Sequence, residues 1–245
     1  MDVDRGVRRL HVEVDGERGE RLVILPNCRE PWGSAVWAHE LAASFLVARV
    51  DLNGFGRSDT DPAAFGLEGA VDDVLAVADA LASPRLSVWG YAGNAPVALG
   101  AAMKSDRVDA VVAGGFPLFA ASPPMMKGSP GKVGYFWDNE PFRVGASQAI
   151  LADHVGTQSP HAADAFVARG ARVLTYFVRG DRVLNIGHIF ESNRQQLEGV
   201  GVEVVAIDVP GSARMRPEDA HNVPVTTDPH ASLAIVVPFL EASAR

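Results

Sequence analysis

The chain has 245 residues, with 22 Lys and Arg against 30 Asp and Glu, for a formal net charge of −8 with histidine neutral. That balance excludes a general nucleic-acid binder, because no bulk of cationic side chains is present to neutralise phosphates. Hydrophobic residues make up 47% and charged residues 21%, the composition of a globular domain with a sizeable core, so disordered and fibrous classes are excluded as well.

Short β-branched runs, each followed by a Gly, Pro or Asn break and an Ala- or Leu-rich stretch with helical spacing, organise the sequence. Strands are predicted near 8–14 and 21–26, a helix over 34–44, a strand at 46–51, a helix over 67–82 and a strand at 86–90. A helix over 94–104, a strand at 108–113, a helix over 161–169 and a strand at 172–178 follow. A helix over 188–199, a strand at 202–208 and a closing helix over 229–242 complete the series. Runs such as LVIL, LSVW, AVVA and VLTYFV are apolar without alternation, as strands buried on both faces of a mostly parallel sheet are. In the helix LEGAVDDVLAVADALA the apolar positions share one side, and Asp72 and Asp73 are assigned to the other. Alternation of strand and helix predicts βαβ units and one doubly wound α/β domain.

Only 116–159 breaks the alternation. This segment is rich in Pro, Gly, Met and aromatics, and such a long irregular stretch reads either as a cap over a pocket or as a surface excursion with its own small core. Cys28 is the single cysteine, so neither an internal disulfide nor a cysteine-based zinc site is expected. The segment MDVDRGVRRL has no apolar signal-peptide core, and no run has the length of a membrane span; a cytoplasmic protein without a membrane partner is expected. GNAPVALG lacks the G-x-G-x-x-G pattern and no cluster has metal-ligand spacing, so neither a dinucleotide cofactor nor a metal is expected.

The run LSVWGYAGNAPVALGAAM at 86–103 reads as strand, tight turn and helix. Gly90-Tyr91-Ala92-Gly93-Asn94 resembles the nucleophile elbow G-x-S-x-G of the α/β-hydrolase superfamily. VDLNGFGRSD at 50–59 resembles the segment that follows the preceding strand in that superfamily, with Asp51 and Arg57 organising the loop around Asn53-Gly54. VILPNCREPWGSAVW lines up with its oxyanion-hole strand and loop. RVLTYFVRGDRV and HNVPVTTDPHASLAIVVPFL resemble the segments that supply its acid and histidine. The resemblance implies an α/β-hydrolase fold with a small cap at about 116–159.

The departures from that pattern bear on function. Ala92 stands at the nucleophile position and offers no lone pair, so no acyl-enzyme forms there. Asn94 replaces the last glycine, a mild change because Asn tolerates left-handed backbone. Pro26-Asn27, followed by Cys28 and Arg29, replaces the usual His-Gly pair. The family position of the acid falls on Val183, with Asp181 as a substitute two residues early. His221 lies near the family position of the histidine, yet the spacing from Pro210-Gly211 is stretched; closing the gap puts Arg214 there and leaves His221 a loop residue. His188 and His230 read as helix-start residues.

The candidate site therefore comprises His221 and Asp181 as catalytic groups, with the substrate's own carboxylate as an alternative base. Asn27, Cys28, Arg29, Tyr91, Ala92, Gly93, Phe116, Phe119, Trp137 and Val183 are assigned to the substrate. Among atypical members of the superfamily, the chain resembles the triad-less branch that includes the epimerase of bottromycin biosynthesis. That resemblance implies a non-hydrolytic epimerase or isomerase inverting an aspartyl α-carbon beside a thiazoline in a modified ribosomal peptide. The alternatives are an esterase-type hydrolase inactivated at Ala92 and a non-catalytic ligand-binding protein. The expected ligand in each case is a small molecule or modified peptide.

Overall fold

The fold was analysed in a computed structural model that describes residues 1–16, 22–27, 32–116, 170–183 and 186–243. Among the described residues, eight strands form one sheet: β1 (Asp2–Asp4), β2 (Arg9–Asp15), β3 (Leu22–Asn27), β4 (Leu46–Asp51), β5 (Leu86–Tyr91), β6 (Val108–Gly114), β7 (Arg172–Val178) and β8 (Val202–Ile207). Their spatial order is β1-β2-β4-β3-β5-β6-β7-β8. β1 and β2 pair antiparallel, as do β2 and β4, and every later pairing is parallel.

Parallel neighbours require crossovers, and helices supply them. The helices are α1 (Trp32–Leu41), α2 (Leu67–Ala80), α3 (Ala95–Lys104), α4 (Ile186–Gly199), α5 (Pro217–Asn222) and α6 (Pro229–Ser243). Two buried clusters lie on the sheet. One joins Ile24, Val50, Val88, Val111 and Phe177 to α2, α3 and α4. The other joins Leu25, Val47, Trp89, Val112 and Tyr176 to α1 and α6. All six residues of β5 are buried, which explains why the central strands lack a polar alternation.

The predicted strands and five of the helices occur within a few residues of their expected bounds. The predicted helix at 161–169 lies outside the described residues, as does the expected cap beyond Phe116. Two short elements were not expected, β1 and α5. β1 is three residues of an edge hairpin, too short to carry a periodic signal.

One expected assignment is reversed. Asp73 does not share the solvent side of α2 with Asp72: it is fully buried, whereas Asp72 pairs with Lys104 at 2.6 Å. The Asp73 carboxylate accepts from Arg8 at 2.5 Å and from the Asn53 backbone N–H at 3.2 Å. Burial pushes the Asp73 carboxyl above its ordinary range, against the opposing pull of Arg8. A buried ion pair of this kind adds little over an apolar pair, but loss of one partner strands the other charge. The pair ties the N-terminal hairpin to α2 and to the loop after β4. That loop is organised as expected around Asn53, whose side chain closes a reciprocal pair with Asp61 at 2.8 Å in each direction. Asp51 accepts from the Arg57 N–H at 2.9 Å, while the Arg57 guanidinium pairs with Glu13.

Arg8→Ala is therefore expected to lower stability by about 3–5 kcal/mol, measured by denaturant titration. A loss below about 1 kcal/mol would show that Arg5, whose Nε already lies 3.5 Å from Asp73, compensates the buried charge.

Candidate functional site

The elbow begins where β5 ends. Ala92 has φ +49°, a left-handed conformation that non-glycine residues rarely adopt. It leads into a single 3-10 turn, Ala92–Asn94, and then α3. Gly90 is required by the tightness of this turn, since a Cβ there would lie 2.1 Å from the Asn94 carbonyl oxygen. The left-handed residue is thus the one at the nucleophile position. Asn94 itself is right-handed, at φ −89°, so its expected tolerance of left-handed backbone is not used. The first N–H groups of the helical segment, that of Gly93 among them, have no preceding intrahelical carbonyl to bond.

Asp181 stands in the turn after β7. Gly180 turns the chain with φ +74°, and the Asp181 N–H donates to the Val178 carbonyl at 2.9 Å. The Gly187 N–H donates to the Asp181 carbonyl at 3.0 Å. A Cβ on Gly187 would come within 2.9 Å of the Asp181 backbone, so a glycine lets α4 start against this turn. The carboxylate is buried, accepting from the Val183 N–H at 2.8 Å through Oδ1 and meeting His221 Nδ1 at 2.6 Å through Oδ2. A carboxylate only accepts, so Nδ1 carries the hydrogen in this contact, and in the neutral tautomer the lone pair is on Nε2.

The acid position therefore shifts. Val183, which occupies the family position, sends its side chain into the core beneath α2, α3 and α4 and supports Asp181 through its backbone. The stretched spacing before His221 is resolved by structure as well. Gly211 is left-handed, Ser212–Arg214 form a 3-10 turn, and α5 follows. Pro217 at the first helical position, with Glu218 and Asp219 in the first turn, is a helix-start signal that a reading of this stretch as polar loop overlooks. Arg216 adds a bidentate contact to Asp219 at 2.8 and 2.9 Å. α5 presents His221 in its last turn, 5% exposed. Arg214 is exposed and does not take the histidine position. His188 is exposed and His230 lies in the first turn of α6, and no contact of either with the pair is observed.

Tyr91 is buried, and its hydroxyl donates to the His221 carbonyl at 2.5 Å. That hydroxyl is thus engaged within the protein. The ring lies 5.4 Å from the His221 ring and 5.7 Å from Tyr176. Burial, then Tyr176 and Asp181, hold the Tyr91 hydroxyl well above the ordinary phenol range, so it stays a donor. Phe116 is buried in the same cluster as Val183. Asn27 closes β3 in register with Asp51. Cys28, Arg29, Phe119 and Trp137 lie outside the described residues. Among the described residues no three His, Cys, Asp or Glu side chains converge as a metal site.

No family model matches the chain, and no curated protein matches its sequence. Solved structures do match. E-2-(acetamidomethylene)succinate hydrolase is 18% identical with a TM-score of 0.73, over 98% of both chains. The enol-lactonase of Burkholderia xenovorans LB400 is 18% identical with a TM-score of 0.67, over 98% of this chain and 100% of that one. A thermophilic esterase of Thermogutta terrifontis, with malate bound, is 17% identical with a TM-score of 0.66, over 100% and 99%. The chain has an α/β-hydrolase fold, and these structural neighbours are enzymes, mostly hydrolases.

Release of the strain at Ala92 makes a direct test of the elbow. A left-handed alanine costs about 1–2 kcal/mol, and the extra freedom of an unfolded glycine offsets about 0.4–1 kcal/mol of any gain. Ala92→Gly is expected to leave stability equal or higher by up to about 1.6 kcal/mol, read from thermal melts. A clear loss would mean that the backbone at 92 is not left-handed.

Proposed function

We propose that the Asp181–His221 pair works as a general base without a covalent nucleophile, and that the reaction is proton transfer at a C–H acid beside a carbonyl or imine. The observation that carries this reading is a histidine held by a buried carboxylate at 2.6 Å, on a fold whose nucleophile position carries only the methyl group of Ala92. Two of the departures that set the chain apart in sequence, at the acid and at the histidine, leave a paired dyad behind.

His221 Nε2 takes the α-proton, and the electrons of the C–H bond move to the neighbouring oxygen or nitrogen. The resulting imidazolium is stabilised by Asp181. N–H donors at the start of α3 suit the charge that develops on the heteroatom. Water delivers a proton to the opposite face, which inverts the carbon, and the imidazolium releases the proton it took to the hydroxide left behind, so atoms and charge balance with no cofactor. The substrate proposed is a small molecule or modified peptide in the cytoplasm. At its finest, the reading is an aspartyl α-carbon beside a thiazoline, where the substrate carboxylate is the alternative base. The resemblance of the sequence to the epimerase branch supports that detail.

A second reading, a hydrolase silenced at Ala92, is favoured by the left-handed backbone at that residue. The strain of an elbow is retained with no nucleophile to aim.

Incubated in D2O with a peptide carrying an aspartyl residue beside a thiazoline, the protein is expected to introduce one deuterium at the α-carbon as the epimer forms. His221→Ala should slow this by roughly a hundredfold or more; an unchanged rate would transfer the role of base to the substrate. Absence of exchange, together with fluorophosphonate labelling of Ala92→Ser, would assign the silenced hydrolase instead.

A further inference from the structure

Beneath the histidine lies a buried polar network that proton transfer by the dyad does not itself require. Trp89 Nε1 donates to the Tyr176 hydroxyl at 3.1 Å, and the Ser232 hydroxyl donates to the Pro224 carbonyl at 2.8 Å. Pro224 belongs to the π-helical segment Val223–Thr227 that immediately follows α5. The Tyr91 hydroxyl holds the His221 carbonyl just before that segment. The chain makes room for both tyrosines at the end of β6. A Cβ on Gly114 would lie 2.4 Å from the Tyr176 ring, and one on Gly115 would lie 2.5 Å from the Tyr91 ring.

We infer that Tyr91 is a positioning residue: its hydroxyl fixes the backbone of His221 to the end of β5, one residue from Ala92. The inference rests on the reading of His221 as the working base. The side chain of His221 is held by Asp181 alone among the described hydrogen bonds, through one nitrogen. A ring on a single pivot keeps its direction only if its backbone is fixed, and α5 has just six residues to fix it. The hydroxyl of Tyr91 supplies the missing constraint from the strand that carries the elbow. Tyr176 provides an internal comparison, since it is equally buried and hydrogen-bonded yet makes no hydrogen bond to His221.

The test compares Tyr91→Phe with Tyr176→Phe in 15N-labelled protein, following exchange of the His221 Nδ1 proton with solvent. Tyr91→Phe is expected to speed exchange roughly tenfold, the loss of one buried hydrogen bond, while Tyr176→Phe lowers thermal stability without changing it. Replacement of tyrosine by 3-fluorotyrosine keeps the hydroxyl and should keep slow exchange, and it serves if Tyr91→Phe does not fold. Unchanged exchange in folded Tyr91→Phe, equal acceleration in Tyr176→Phe, or rapid exchange in the fluorotyrosine protein would each overturn the inference. Because the readout needs no turnover, failure of deuterium incorporation in the peptide would count against the proposed reaction and not against this role of Tyr91.

Discussion

The contact between Asp181 and His221 joins two segments 40 residues apart in the chain, and much of the local structure serves to make it. A carboxylate with no exposure is stable only with its acceptor positions filled. Asp181 fills them with the Val183 amide and the His221 imidazole. The glycines at 180 and 187 let the turn fold back on the start of α4, and α5 brings the imidazole across. Without α5 the stretch after Gly211 would carry a histidine with no fixed place.

The elbow poses the complementary problem. A strand buried along its whole length runs into a left-handed residue and then a helix, a path that costs conformational energy wherever it occurs. In a serine enzyme that cost lifts a hydroxyl out of the turn. Here it lifts a methyl group, while the pairing of Asp181 with His221 is kept. In the proposed reaction, a histidine with a lone pair on Nε2 suits a substrate that brings its own acidic hydrogen. The same arrangement is also what remains when a hydrolase loses its nucleophile alone, so the chemistry is decided by whether a C–H bond is exchanged.

The sheet and the elbow were legible because they rest on long apolar runs and on glycines at fixed spacing. LSVWGYAGN carries both signals within nine residues. The burial of Asp73 was not legible, because helical periodicity places an acid by its class and gives no sign of a distant partner such as Arg8. The histidine segment was obscured for a different reason. The usual spacing is lengthened, and the helix-start signal in RPEDA, which marks the short helix that carries His221, was outweighed by its polarity. The sequence offered Asp181 beside the family position at Val183, but nothing in its pattern showed that the Val183 N–H bonds that carboxylate. The partnership of Tyr91 with a carbonyl 130 residues away leaves no trace in local pattern at all.

The pairing of Asp181 with His221 is tested most directly by proton NMR of the imidazoles. The account predicts a far-downfield Nδ1–H resonance for His221, with Nε2 unprotonated in the neutral ring, and its disappearance in Asp181→Asn. A His221 ring protonated on Nε2 alone, or a downfield signal that survives Asp181→Asn, would contradict it.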